Sequence, residues 1–410
     1  MIQVGIDFGT TNSVIALRGS DGIAGSGIFG TDDVFRTVLC FWADESRTGN
    51  TLQHAAGPAA IAAYLDDPSD SRLIMSMKSY LAQRSFTETR IFGRRFTLPG
   101  LIAQFLRALA TAAGLDPAVV RVVAGRPVRF AGERADDAFG EARLRESFAA
   151  AGFNDVAVAL EPEAAGWHFA RSLTRPATVL VGDFGGGTSD FSVLRFVPGA
   201  PVQSIGHAGV GIAGDVFDYR IISKVIGPLL GKDDTFRVMG KDMPVPIEYF
   251  SSFAQWHRLS LMRNPKTMRE IADVARTAQH PKRLKQLMAL IEDEQGFHLY
   301  QAVSSLKAAL SHADSAVLRF DHASFAVEQV VTRADFETWI AADLARIDKA
   351  IDQALTDADV SDVNHVFLTG GTSFVPAVRR LFEARFGADR VTTGGEFVSV
   401  AVGLALMGAP

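Results

Sequence analysis

One short pattern occurs twice in this chain and constrains its fold more than any other feature. Near the start, the apolar run Val4-Gly5-Ile6 leads into Asp7-Phe8-Gly9-Thr10-Thr11-Asn12-Ser13 and then into Val14-Ile15-Ala16-Leu17. Later, Val179-Leu180-Val181-Gly182 leads into Asp183-Phe184-Gly185-Gly186-Gly187-Thr188-Ser189-Asp190 and then into Phe191-Ser192-Val193-Leu194. Each copy reads as two strands joined by a Gly/Thr turn, a β-hairpin with an acidic residue before its tip. The repetition continues beyond the hairpins. Val119 to Gly125 is a buried-strand pattern ending in glycine, followed by a helical stretch around Phe139, Leu144 and Phe148. Val366-Phe367-Leu368-Thr369-Gly370-Gly371 does the same before a helix carrying Val375, Val378 and Leu381. Each half closes with a further strand and helix, Val156 to His168 and Val391 to Leu406. The chain therefore reads as two related α/β domains, residues 1–170 and 177–410. Duplicated domains that face one another leave a cleft, a common place for ligands.

Within the second half, residues 215–310 read as a mostly helical insertion. Its basic stretch from Arg263 to Lys285 could serve a polyanion, but Glu270 and Asp273 interrupt it and no aromatics alternate with the charges. A solvated helix face is the better reading. A long helix follows, with Phe336, Ile340, Leu344, Ile347, Ile351 and Leu355 at three- and four-residue spacing. Thr332 and Asp335 at its start resemble a capping box with Asp in place of Glu.

Composition narrows the function classes. The chain has 410 residues, 48% hydrophobic and 21% charged, enough to bury sizeable cores. Its net charge of −5 gives no reason to expect nucleic acid or an anionic membrane. The single cysteine, Cys40, excludes an internal disulfide and reads as a buried small hydrophobe, which suits a reducing compartment. No apolar run reaches the roughly 18 residues of a membrane span. The N-terminus enters a strand pattern without a basic leader, so a cytoplasmic protein is expected. The nine histidines show no zinc-binding spacing.

The two loops suggest a ligand. Polyphosphate charge is met by backbone N–H groups, which approach closely only where side chains are small. Gly9-Thr10-Thr11-Asn12 and Gly185-Gly186-Gly187-Thr188 both meet that need. Magnesium prefers oxygen ligands and keeps several waters, so Asp7, Asp183 and Asp190 could hold it through those waters. A glycine-rich turn between strands is commonly only a turn. Two of them, each preceded by aspartate at the matching place, point to phosphate.

These residues resemble a known family. Ile6 to Ser13 looks like the first phosphate loop of the DnaK-type heat-shock chaperones, and Asp183 to Asp190 resembles their second. Glu161-Pro162-Glu163-Ala164-Ala165 is similar to the segment that carries their catalytic glutamate, and Thr369 to Pro376 is similar to their adenosine loop. The resemblance covers nearly the whole chain in order, and looks closest to the YegD-like branch, which has the ATPase domain and little else. It implies duplicated actin-like ATPase (ribonuclease H-like) domains facing a nucleotide cleft, with ATP or ADP and Mg²⁺ as cofactors. It also implies roles. Asp7, Asp183 and Asp190 would order the magnesium-water shell, and Glu161 with Asp183 would position the attacking water. Gly9, Thr10, Thr11, Asn12 and Gly185 to Thr188 would hold phosphate oxygens. Lys307 and Ser311, four apart on one helix face, would meet the nucleoside, with Gly370, Gly371 and Thr372 as the opposing wall.

Departures from the family pattern are informative. The family's catalytic lysine follows a Gly-x-Pro-Ala-like run, and the matching Gly57-Pro58-Ala59-Ala60 puts alanine in its place. Phe374 stands where an arginine packs on adenine, and Ser304 and Ala308 replace a glutamate and an arginine of the nucleoside site. With its last helix running close to Pro410, the chain is expected to lack the family's peptide-binding domain. The expectation is a slow Mg-dependent ATPase with a chaperone-like role, its client or co-chaperone unidentified. An ATP-occupancy switch without turnover and a filament-forming or small-molecule kinase member of the superfold are the alternatives.

Overall fold

The computed structural model describes residues 2–407, apart from 20–23, 26–28, 30–32, 45–50, 69, 133–134, 201, 254–261, 294 and 395–397. Both hairpins form where the pattern predicts them. Strand Ile2–Phe8 pairs antiparallel with Asn12–Arg18, setting Asp7 opposite Val14 and Phe8 opposite Ser13. Strand Ala177–Phe184 pairs antiparallel with Ser189–Phe196, setting Asp183 opposite Asp190 and Phe184 opposite Ser189.

Each hairpin is the middle of a sheet, and the two sheets share one order. The first runs Asp155–Leu160, Val120–Arg126, Ile2–Phe8, Asn12–Arg18 and Ala24–Gly25, with Phe35–Arg36 also paired to Asn12–Arg18. The second runs Val391–Thr393, His365–Thr369, Ala177–Phe184, Ser189–Phe196 and Gln203–Val210. In both, the strands on the side of the hairpin's first strand are parallel to it. Parallel neighbours need a crossover, and helices supply it. Asp137–Ala151 joins the outer strands of the first sheet, capped by the Asp136 carboxylate on Phe139 N and ended by Gly152 at φ 102°. Pro376–Phe386 does the same in the second.

The chain forms two compact units, and their boundary differs from the division at residues 170–177 that repetition suggests. One comprises residues 1–214 and 344–410 and holds both sheets; the other is 215–343. The second unit contains the expected insertion and extends beyond it through the hairpin Ser315–His322 and Phe325–Thr332. Its basic stretch lies on helices Pro265–Thr277 and Pro281–Glu292. There Ile271, Leu284 and Leu287 are buried, while Lys266, Arg269, Lys282 and Lys285 face solvent. The Thr332 hydroxyl donates to Asp335 Oδ2 (2.6 Å) and accepts from Asp335 N (3.1 Å), starting the helix Arg333–Asp357. Among the described residues no helix is long and apolar enough to cross a membrane. Cys40 is buried on strand Val38–Asp44.

Two helices, one closing each half, fix the two sheets of the first unit together. Glu161–Ala170 and Ser399–Met407 share a core with Val123, Val179, Val181, Leu194 and Phe367. Their contact is at backbone range. A Cβ on Gly403 would lie 1.7 Å from the Ala164 carbonyl oxygen, and one on Gly5 2.0 Å from that of Ala401. A Cβ on Gly166 would lie 1.9 Å from Leu194 Cδ1. Side chains at these glycines cannot be accommodated by rotamer changes where the obstacle is backbone. Gly403→Ala is therefore expected to destabilise the fold by about 3 kcal/mol in denaturant titrations. Gly25→Ala, where an added Cβ meets nothing within 4 Å, serves as the control and should shift stability by less than about 1 kcal/mol. Equal effects of the two would show that the helix contact is slack.

Candidate functional site: a lysine among four carboxylates beneath two glycine loops

The chemistry-bearing residues of the first unit converge at the tips of the two central hairpins. Both loops are tight turns built alike. A Cβ on Gly9 would lie 2.0 Å from Asn12 O, and Gly185 N donates to Thr188 O at 3.0 Å. The buried serines that follow anchor each loop. Ser13 Oγ is 2.8 Å from Thr37 Oγ1, and Ser189 Oγ donates to Ile212 O at 2.5 Å. The two loops approach each other. A Cβ on Gly187 would come 3.5 Å from Thr10 Oγ1 and 3.6 Å from Ser79 Oγ. Any larger side chain at Gly187 would fill this cradle. In the first loop, Asn12 Oδ1 accepts from Arg36 Nη1 at 3.0 Å, so that oxygen is engaged.

The Gly370 loop abuts the second of these turns. Gly370 has φ 83°, and a Cβ there would lie 2.2 Å from Phe184 O. Only glycine suits both demands. Thr372 Oγ1 sits 3.5 Å from Gly185 O, and Gly371 to Phe374 form one short helical turn in which Gly371 is exposed and Phe374 half-buried. Lys307 and Ser311 belong to the other compact unit, on helix Gly296–His312. There Lys307 Nζ donates to the buried Asp218 at 2.9 Å, and Ser311 Oγ bonds back to Lys307 O at 3.3 Å.

Beneath the loops lies the acidic cluster. Glu161 is the first residue of helix Glu161–Ala170, where the helix N-terminus favours a negative charge. It fits because Gly125 has no side chain: a Cβ there would lie 2.9 Å from Glu161 Cγ. Its Oε1 accepts from Lys78 Nζ at 2.5 Å, and both side chains are buried. Lys78 arrives on a short 3₁₀ turn, Met77–Tyr80, entered through Ser76 in the left-handed region at φ 53°. Asp190 Oδ1 accepts from Arg129 N at 3.1 Å.

The lysine corrects an expectation. Ala60 does not leave the site without a cation: it is fully buried on helix Pro58–Asp66, and Lys78 supplies the charge to Glu161. Burial works against the Lys78 ammonium, but the charges of Glu161, Asp7 and Asp183 outweigh it and raise its pKa. One ammonium is too little for four carboxylates. Burial first, then the Glu161 charge, push Asp7 up to about 7, with Lys78 pulling it down. Burial and Glu161 likewise push Asp190 up to about 7, opposed by bonds from Thr188 and Arg129 N and by Lys78. Asp183, between these charges, is raised well above the usual carboxylate range by burial, then by Glu161, Asp7 and Asp190. Such a set is short of positive charge, which a divalent cation would supply. Among the described residues no three acidic, histidine or cysteine side chains are grouped to ligate a metal directly. The donors fit a hydrated magnesium held through water, which needs no such cage.

Comparison with known proteins agrees with this geometry. A family profile described as "Hsp70 protein" matches residues 280–409. The chaperone protein DnaK of Deinococcus radiodurans is 25% identical, with 98% of this chain and 58% of that protein covered. The chaperone protein HscA of Serratia proteamaculans is 27% identical, covering 99% and 57%. DnaK of Cyanidioschyzon merolae is 25% identical, covering 98% and 61%. The chain is thus similar to DnaK-type Hsp70 proteins over nearly its whole length. Its two sheets of common strand order are accordingly those of the actin-like ATPase fold. The chain spans about three-fifths of the length of these Hsp70 relatives.

The family motif points to Ala60 and assigns no role to Lys78. The signal was available, since Lys78 is the first lysine in the chain. The raised aspartates give a pH dependence. In the metal-free protein, between the unfolded carboxylate pKa near 4 and the folded values of about 7, the folded state binds more protons than the unfolded one. Stability therefore falls as pH rises through this window and levels off above it. Asp190→Asn should flatten part of that slope in denaturant titrations with chelator present, and Mg²⁺ should restore stability above pH 7. A wild-type profile that rises from pH 4 to 7 and is unaltered by Asp190→Asn would contradict the raised values.

Proposed function

We propose that the first unit cradles the polyphosphate of magnesium-ATP and that the protein is a slow ATPase of DnaK type with a chaperone-like role. The observation that carries this reading is the Lys78–Glu161 pair among Asp7, Asp183 and Asp190, beneath two glycine loops that meet at Thr10 and Gly187. Thr10, Thr11 and the backbone N–H groups of Gly185 to Thr188 would hold phosphate oxygens, with Gly9 and Asn12 setting the first turn. Asp7, Asp183 and Asp190 would hold Mg²⁺ through its waters. Magnesium, when bound, neutralises phosphate charge and keeps these carboxylates ionised. Glu161 and Asp183 would orient the attacking water, and Lys78 would place a fixed positive charge beside the transferring group, where phosphoryl transfer is most sensitive to electrostatics.

The nucleoside end is assigned by resemblance to Gly370, Gly371, Thr372 and Phe374, together with Lys307 and Ser311. The two repeats, 1–170 and 177–410, would be the lobes of a duplicated domain. A YegD-like placement, a cytoplasmic setting and a protein client or co-chaperone belong to the same proposal.

Two measurements test it. Isothermal calorimetry should show magnesium-ATP binding by wild type that Asp7→Asn and Gly186→Val sharply weaken with the fold intact; unchanged affinity in both would sink the site. Under single-turnover conditions, Lys78→Ala should slow hydrolysis by about 10²–10³, whereas Ala60→Lys should bring no gain, because it forces a charge into a buried helix face. Tight binding with no hydrolysis by wild type would favour the occupancy switch.

A further inference from the structure

The 3₁₀ turn Met77–Tyr80 brings a second side chain to the site. In a turn of three residues per revolution, consecutive side chains diverge by about 120°. Lys78 goes to the carboxylates, and Ser79 goes to the rim of the two loops. Ser79 Oγ lies 3.6 Å from the point that a Cβ on Gly187 would occupy, and Thr10 Oγ1 lies 3.5 Å from the same point. Two hydroxyls on separate segments therefore flank the glycine that leaves the cradle open.

Ser79 is half-buried, and its hydroxyl bonds to no other described residue. Its backbone is held firmly. Ser79 N donates to Ser76 O at 3.0 Å, and Ser79 O accepts from Gln83 Nε2 at 2.9 Å. A hydroxyl on a backbone held in this way, with no bond to another described residue, stands beside the polyphosphate cradle where it can donate to an anion. Resting on the reading of this cradle as a polyphosphate site, we propose that Ser79 is a third phosphate-binding residue. Its Oγ–H donates to a non-bridging oxygen of the chain's polyphosphate ligand, alongside Thr10 and the Gly185 to Thr188 backbone. The same short turn thus couples phosphate contact to the position of Lys78.

The test is calorimetry with two probes, magnesium-ATP and magnesium-tripolyphosphate, on full-length wild type, Ser79→Ala and Ser79→Thr. A hydrogen bond to a charged acceptor corresponds to roughly tenfold or more in affinity. Ser79→Ala should lose about that factor for both probes with an unchanged melting temperature in their absence, and Ser79→Thr should recover most of it. Equal affinities for wild type and Ser79→Ala would overturn the proposal while leaving the polyphosphate site standing. Wild type that binds neither probe would overturn the polyphosphate site, and the role of Ser79 with it.

Discussion

The first unit depends on a helix contact made through absent side chains. Gly403 meets the Ala164 carbonyl, Gly5 meets the Ala401 carbonyl, and Gly166 lies under Leu194. These approaches bring the closing helix of each half against the sheet and helix of the other at a spacing no larger residue permits. The geometry of the hairpin tips follows from it. Glu161 is the first residue of one of these helices, so the helix position fixes the carboxylate relative to Asp7 on one sheet and Asp183 on the other. The close packing also explains why so polar a site can be buried: its walls are set by backbone contacts and not by the charges themselves.

Burial gives the acidic cluster its character. Four carboxylates in water would all ionise below neutral pH. Beneath the loops, desolvation and mutual repulsion hold Asp7 and Asp190 near 7 and raise Asp183 well above the usual carboxylate range, even with Lys78 among them. Removing one partner of a buried ion pair leaves an uncompensated charge, so Lys78 and Glu161 are structural as well as chemical partners. The loops above carry no such tension. The second turn is closed by the Gly185 N to Thr188 O bond, the first leaves no room for a side chain at Gly9 beside Asn12 O, and the loops present small residues toward each other.

Local patterns determined a good deal by themselves. The two hairpins with their aspartates, the parallel strands ending in glycine, the capping pair Thr332 and Asp335 and the solvated basic helices could all be read along the chain, because each depends on neighbours within a few residues. Motif order was enough to indicate the family. Tertiary structure decided what depends on distant segments. The chain's compact units break at residues 214 and 343, where packing and not repetition sets the boundary. Lys78 reaches Glu161 across 83 positions, a contact that no local spacing encodes. Ala60 matched a short motif yet lies in a core, because a helix face is chosen by what packs on it. The pKa values of Asp7, Asp183 and Asp190 likewise belong to the fold, since desolvation and repulsion exist only once the two hairpin tips and the Glu161 helix have been brought together.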